Sequence, residues 1–208
     1  MSGDHVLRDR VAGNHVPGNR MWRRARAVVL AIGVLALAGC ASTAEEWAKP
    51  GAAHVSRLAV LPFENQTSAL RAGQAVSDLL VSEILTTGTI SVMDPSEVAD
   101  LLRRESLDAA DAGRLPSAQR VGRILQVSHV LQGAVTEYRY KPGLSETPAV
   151  GVTARLVDVT TGEVVWTASH ARLGSSWIRE DGLGRVAQRV AHDMAAHLTG
   201  ALGDARAR

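Results

Sequence analysis

Apolar and polar positions repeat with two different periods along the chain, and each period predicts a different element. Residues 57–63 form a short apolar run that ends at a polar turn, which predicts a buried strand. Residues 69–87 repeat apolar positions at steps of three and four, the spacing of one helical face: Leu70, Gly73, Val76, Leu80 and Ile84. Gly88 is well suited to end this helix, and residues 90–93 predict a second short strand.

The remaining pattern predicts two short helices, then three strands, then one long helix. Asp94, Pro95 and Glu97 have the order of a helix start, and Ser117 can cap the next helix. Strands follow at 128–140, 149–159 and 164–171, with Gly133 as a predicted bulge, and a long amphipathic helix covers 181–202. The order β-α-β-α-α-β-β-β-α predicts an α+β sandwich, one mixed sheet of about five strands with helices packed on it.

The N-terminal region has the three parts of an export signal. Arg23, Arg24 and Arg26 precede an apolar run of about a dozen residues, which is shorter than the roughly 20 that a membrane-spanning helix needs. Leu-Ala-Gly-Cys at 37–40 resembles the bacterial lipobox, in which the signal is cut after the residue at Gly39 and the cysteine is acylated. Cys40 is the only cysteine of the chain, so an intrachain disulfide is excluded. We therefore predict a signal peptide, a cleavage site between Gly39 and Cys40, and palmitate-type lipidation at Cys40.

This interpretation divides the chain into five parts. Residues 1–20 are polar and lack a hydrophobic period, and we interpret them as a mis-annotated extension before the 21–39 signal peptide. Residues 40–56 are the acylated cysteine and a tether with an r.m.s. span of roughly 20–25 Å. Residues 57–202 form the single domain, and 203–208 form a frayed tail. Residue 41 is not an aspartate, which by the lipoprotein sorting rule favours the outer membrane, with the domain on its periplasmic face.

Charge argues against nucleic acid as a partner. The full chain has 23 Lys+Arg and 21 Asp+Glu, a formal charge of +2. Residues 1–39 contain six of the basic and two of the acidic residues, so the mature chain has 17 and 19, a formal charge of −2. A nucleic-acid interface requires a concentrated basic surface, and the basic excess here belongs to the signal segment.

Three segments together resemble the CsgG-like bacterial lipoprotein superfamily, which includes activators of penicillin-binding proteins and the N-terminal domain of TolB-like proteins. Residues 58–67 resemble its opening strand and turn, 127–135 a glycine-containing strand, and 154–166 its hairpin with a Thr-Gly-Glu turn. The resemblance covers about residues 55–200 and implies this α+β fold in a periplasmic setting. It does not imply one activity, because members share a fold rather than a function.

The sequence contains no recognisable catalytic or metal-binding motif. The five histidines of the mature chain have no ligand spacing, and we predict no metal site, cofactor or small-molecule substrate: His54, His129, His170, His192 and His197. Polar residues beside the predicted strands fit turn chemistry better than acid–base roles: Glu64, Asn65, Thr67, Asp158 and Glu163. Trp166 fits a core or interface position, and Trp177, in a predicted loop, is the candidate partner contact.

These observations favour a non-enzymatic, lipid-anchored interaction or assembly module of the cell envelope. Its partners would be the membrane, through the N-terminal lipid, and other envelope proteins, including further copies of itself. One alternative is an oligomeric CsgG-type secretion-channel subunit, but the candidate insertion sites at 141–148 and 173–180 are about eight residues each and lack an alternating apolar stripe. A second alternative is a regulator of a cell-wall synthase, for which the tether of about 16 residues is short.

Overall fold

Six strands and four helices make up the described part of the chain. The computed structural model describes residues 42–50, 55–107, 117–143, 146–175 and 181–206. Gly39, Cys40 and Trp177, for which the sequence predicted roles, lie outside these residues. The strands and helices, in our numbering, are β1 Ser42–Ala48, β2 Leu58–Val60, β3 Glu64–Asn65, α1 Ala72–Thr87, α2 Pro95–Arg104, α3 Ser117–Ile124, β4 His129–Lys141, β5 Thr147–Asp158, β6 Val164–Leu173 and α4 Leu183–Arg206.

The strands form one mixed sheet in the order β1-β6-β5-β4-β2, with β3 also paired to β4. β2 and β3 run parallel to β4, whereas the β4–β5, β5–β6 and β1–β6 pairs are antiparallel. The predicted fold class, a mixed sheet with helices packed on it, is confirmed. The sheet has six strands instead of about five.

Strand alternation divides the core into two layers on opposite faces of the sheet. Successive side chains of a strand point to opposite faces. Leu58 and Val60 accordingly join the cluster that α1 and α4 cover, whereas Ala59 and Leu61 join the cluster under α2 and α3. Residues 58–61 are therefore apolar throughout, as expected for a strand buried on both faces.

The segment predicted as a tether contributes the edge strand β1. Its seven residues pair antiparallel with β6, from Ser42 opposite Arg172 to Ala48 opposite Trp166. All seven are exposed, so the strand has no apolar alternation by which a sequence pattern could reveal it. Backbone pairing holds β1 on the sheet, and Lys49, just after it, forms an ion pair with Glu163, just before β6.

The start of α1 differs from the predicted helical face. Arg71 has a left-handed backbone (φ 60°), the helix begins at Ala72, and Leu70 remains 94% exposed in the preceding turn. The predicted C-terminus is confirmed, since Gly88 has φ 65° and its N–H bonds to the carbonyl of Leu85.

The start of α2 agrees with the predicted cap. Asp94 accepts hydrogen bonds from the Ser96 hydroxyl and from the Ser96 N–H, the latter at 2.8 Å, and Pro95 occupies the first turn. These bonds, that of the hydroxyl first, hold the pKa of Asp94 below its usual value.

Three further predictions need correction. The predicted strand at 90–93 is reduced to a single parallel bridge between Val92 and Leu58. Gly133 is not the bulge: the register of β4 shifts between Val135 and Glu137, and a Cβ at Gly133 would lie 2.8 Å from the Phe63 ring. The lack of a side chain at Gly133 therefore leaves room for the Phe63 ring to pack against the sheet. The predicted frayed tail begins too early, because α4 continues to Arg206.

Candidate functional site

Three side chains from three separate elements converge at the β1 edge of the sheet. Glu46 lies on β1, His170 on β6 and His197 on α4. One carboxylate oxygen of Glu46, Oε1, lies 2.6 Å from Nε2 of His170 and also contacts Nδ1 of His197. The two imidazole rings are perpendicular, with centroids 5.4 Å apart. One ligating atom from each of the three residues lies within 4.8 Å of the other two.

Local structure explains why the three side chains meet. His170 follows Trp166 and Ala168 at alternate positions of β6, and these two residues belong to the core cluster beneath α4. His170 therefore faces α4 and is 4% exposed. Met194 and Leu198 belong to the apolar stripe of α4. His197 lies beside this stripe, at the border between the buried face and the solvent-exposed face of the helix. The β1–β6 register brings Glu46 opposite Ala168, on the same face as His170.

A groove of about 290 Å³ reaches both imidazole rings from solvent. Its walls come from the first residues of β1, the end of β6 and one face of α4. Arg172 and Asp193 line the groove and form an ion pair at 2.9 Å. The positive charge of Arg172, beside the histidines, is therefore balanced by the carboxylate of Asp193. The groove thus connects a buried histidine and a half-exposed histidine to the solution.

Sequence spacing missed this cluster. The prediction of no metal site depended on the absence of ligand spacing, and positions 46, 170 and 197 are far apart in the sequence. Glu46 lies in the segment that the sequence predicts as a tether, where no structured site is expected. The one usable signal is the presence of His170 at an inward position of a strand, which becomes informative only when β1 is known to be the neighbouring strand.

The polar residues after β2 form the predicted turn only in part, because Glu64 and Asn65 pair with β4 as β3 and the turn follows them. Asn65 accepts hydrogen bonds through Oδ1 from the N–H and the hydroxyl of Thr67, at 3.1 and 2.8 Å. Its amide donates to the carbonyl of Ala69 at 2.7 Å. Glu64 is exposed at the rim of a second, polar groove of about 220 Å³, which is lined by residues of β4, β5 and β6.

The Thr-Gly-Glu hairpin also uses its acidic residues structurally. Asp158 Oδ1 accepts from the N–H groups of Thr160 and Thr161 at 2.7 and 2.9 Å. Gly162 takes φ 78°, the left-handed conformation that this turn requires. Glu163 pairs with Lys49, and Trp166, 1% exposed, lies in the core as predicted.

Asp181 bonds to Ser175 and to α4, on the C-terminal side of the segment that contains the candidate contact Trp177. Asp181 Oδ2 accepts from the N–H of Ser175 at 2.9 Å and from Nη2 of Arg189 at 2.6 Å, and the Asp181 N–H donates to the Ser175 carbonyl at 3.0 Å. The hydrogen bond from Ser175, followed by that from Arg189, lowers the pKa of Asp181 from its ordinary value. Trp177 itself lies outside the described residues, and its role stays a prediction.

None of the helices in the described ranges combines the length and apolar character needed to cross a membrane.

Comparison with known proteins finds similarity at the level of structure. No protein-family model and no curated protein sequence matches this chain. A PelC dodecamer from Paraburkholderia phytofirmans is 28% identical, with 76% of this chain and 97% of that chain covered and a TM-score of 0.58. A point-variant PelC dodecamer from the same organism is 29% identical, with 75% and 98% covered and a TM-score of 0.56. Lipoprotein GNA1162 from Neisseria meningitidis is 22% identical, with 68% and 99% covered and a TM-score of 0.55.

This chain therefore shares the α+β fold of these three structures. The narrower resemblance to CsgG-like proteins stays a prediction.

Proposed function

We propose that this chain is a lipid-anchored, non-catalytic lipoprotein of the cell envelope that acts as an assembly module by associating with copies of itself. The observation that carries the proposal is the similarity to the PelC dodecamers. The alignment covers 97–98% of the PelC chains at 28–29% identity, so it includes almost all of a protomer that assembles into a dodecamer.

The edge of the sheet formed by β1 supports self-association. Among the described residues, β1 is the terminal strand of the sheet, and its seven residues are exposed. An edge strand presents backbone N–H and C=O groups that can pair with another chain. Trp47 on this strand is 50% exposed, and it points away from α4 because Glu46, the preceding residue, points toward it. Exposed tryptophans are frequent hot spots of protein interfaces.

The anchor proposal depends on Cys40, and β1 changes its geometry. Ser42, the first residue of β1, follows Cys40 by only two residues. At 3.8 Å per step, the Cα atoms of Ser42 and the acylated Cys40 would be at most about 8 Å apart. The long tether inferred from the sequence is therefore replaced by a short connection. A domain anchored in this way would be held close to the membrane, with the start of β1 nearest the lipid.

The experiment compares Trp47→Glu with Leu85→Glu in full-length protein purified in detergent. Both residues are exposed and apolar, but Leu85 lies on α1, away from β1. We expect an oligomer in analytical ultracentrifugation for the wild type and for Leu85→Glu, and at least tenfold weaker association for Trp47→Glu. A charge at the strand edge would be desolvated and unpaired in the interface. A monomeric wild type at tens of micromolar, or equal effects of the two variants, would contradict the proposal.

A further inference from the structure

We infer that Glu46, His170 and His197 form a binding site for a divalent transition-metal ion of the Zn²⁺ type, which fastens the N-terminal strand to the body of the domain. Two imidazoles and one carboxylate are a ligand set that zinc accepts in proteins, with a remaining position left to water. This inference does not depend on lipidation or on self-association.

The distances are close to those that a metal requires. Tetrahedral zinc with bonds of about 2.0–2.1 Å holds its ligand atoms about 3.3 Å apart. His170 Nε2 and Glu46 Oε1 are 2.6 Å apart, and all three ligand atoms lie within 4.8 Å of one another. Rotamer adjustments of about an ångström are sufficient to place an ion among them, and Glu46 and His197 have the exposure to make them.

The surroundings favour an ion at this position. His170 is almost fully buried on a rigid strand, and this ring is the fixed ligand of the three. The groove of about 290 Å³ gives an ion and its water a route to both rings. The neighbouring cation Arg172 is neutralised by Asp193 at 2.9 Å, which removes much of the repulsion that it would exert on a bound metal.

A metal here would have a structural consequence. β1 is exposed along its whole length, and the contacts that hold it are its backbone pairing with β6, the Lys49–Glu163 ion pair and the Glu46 cluster. An ion bound by Glu46, His170 and His197 links β1 directly to β6 and to α4. Because the ion would bind the folded state and not the unfolded state, the free energy of unfolding should rise with the logarithm of the metal concentration.

The test is titration of the metal-free, full-length protein in detergent with Zn²⁺ alone, by calorimetry and by thermal unfolding. We expect one high-affinity Zn²⁺ per chain and a rise of the Tm with added Zn²⁺. His197→Ala and Glu46→Gln should each weaken binding at least tenfold and remove the Zn²⁺-dependent rise of the Tm. The titration is repeated in a Cys40→Ser background, where the same result excludes the thiol as the ligand.

His192→Ala is the matched control. His192 also lies on α4 and is exposed, but its Nδ1 pairs with Glu83 at 2.9 Å, away from the cluster. We expect it to bind Zn²⁺ like the wild type. His197 is half-exposed, so its variant should fold, and its Tm without metal verifies this. The inference is overturned if the wild type takes up no stoichiometric Zn²⁺, or if His192→Ala loses as much affinity as His197→Ala.

Discussion

The packing of α1 against the segment that follows β2 depends on the absence of a single carbon atom. At Gly73, in the first turn of α1, an added Cβ would lie 2.0 Å from the carbonyl oxygen of Phe63. That atom belongs to the backbone of the segment between β2 and β3, so it cannot move as the end of a flexible side chain can. Gly73 thus lets the helix approach the sheet closely enough to bury Val76 and Leu80.

Gly73→Ala should therefore destabilise the protein by about 1–3 kcal/mol, the usual cost of overpacking, even though alanine favours helix. Gly200→Ala is the matched control, because Gly200 lies within α4 with nothing within 4 Å of the added Cβ. It should stabilise by about 0.5–1 kcal/mol. Urea unfolding of both variants measures the difference, and a stabilising Gly73→Ala would show that the close contact is not maintained in solution.

At the scale of elements, a side chain joins the end of the β6 segment to the last helix, α4. Asp181 joins the end of the β6 segment, through Ser175, to α4, through Arg189. The carboxylate is 6% exposed, and both of its donors favour the charged form. A group with a lowered folded-state pKa stabilises the fold above its ordinary pKa, here 3.8, and this contribution is lost as the pH falls through the folded-state value.

Asp181→Asn should consequently be less stable than the wild type at pH 7, and the difference should shrink toward pH 3. The wild type loses the contribution on acidification, whereas the amide has no charge to lose. Thermal unfolding at the two pH values provides the measurement. Asp100→Asn, which removes an exposed carboxylate paired with Arg103, should change stability by less than about 0.5 kcal/mol at either pH. An Asp181→Asn deficit that is equal at pH 7 and pH 3 would argue against the ionised carboxylate as the stabilising group.

For the whole molecule, the proposed anchor and the folded core occupy separate parts of the chain. Both core clusters are built from residues at or after Val55, whereas the proposed acylation site is Cys40. Between them lies β1, which contributes backbone pairing but no buried side chain. Membrane attachment and folding should therefore be separable by one substitution.

Cys40→Ser should abolish incorporation of radiolabelled palmitate and release the protein from the membrane fraction. Its free energy of unfolding should stay within about 0.5 kcal/mol of the wild-type value, as for surface changes away from the core. Ser42→Ala, two residues further on, should still incorporate the label. Label in the Cys40→Ser protein, or a wild type that takes up none, would refute the lipid anchor.

The sequence by itself determined the fold class and most element positions, because burial imposes a period on apolar residues. The strands at 128–140 and 149–159 and the helix at 181–202 were predicted within a few residues of β4, β5 and α4. The turn roles of Asn65 and Asp158 were also predictable, since such side chains bond to backbone a few residues away.

Only the tertiary structure decided what lies at the sheet edge. β1 buries no side chain, so no hydrophobic period marks it, and pairing with β6 is a property of two segments about 120 residues apart. The Glu46–His170–His197 cluster exists only because that pairing, and the packing of α4 on β6, bring three distant positions to one place. Local sequence patterns report burial and turns, because both depend on residues that are close in the sequence. A site assembled across strands depends on the register between them, which is a property of two paired segments and cannot be read from either one.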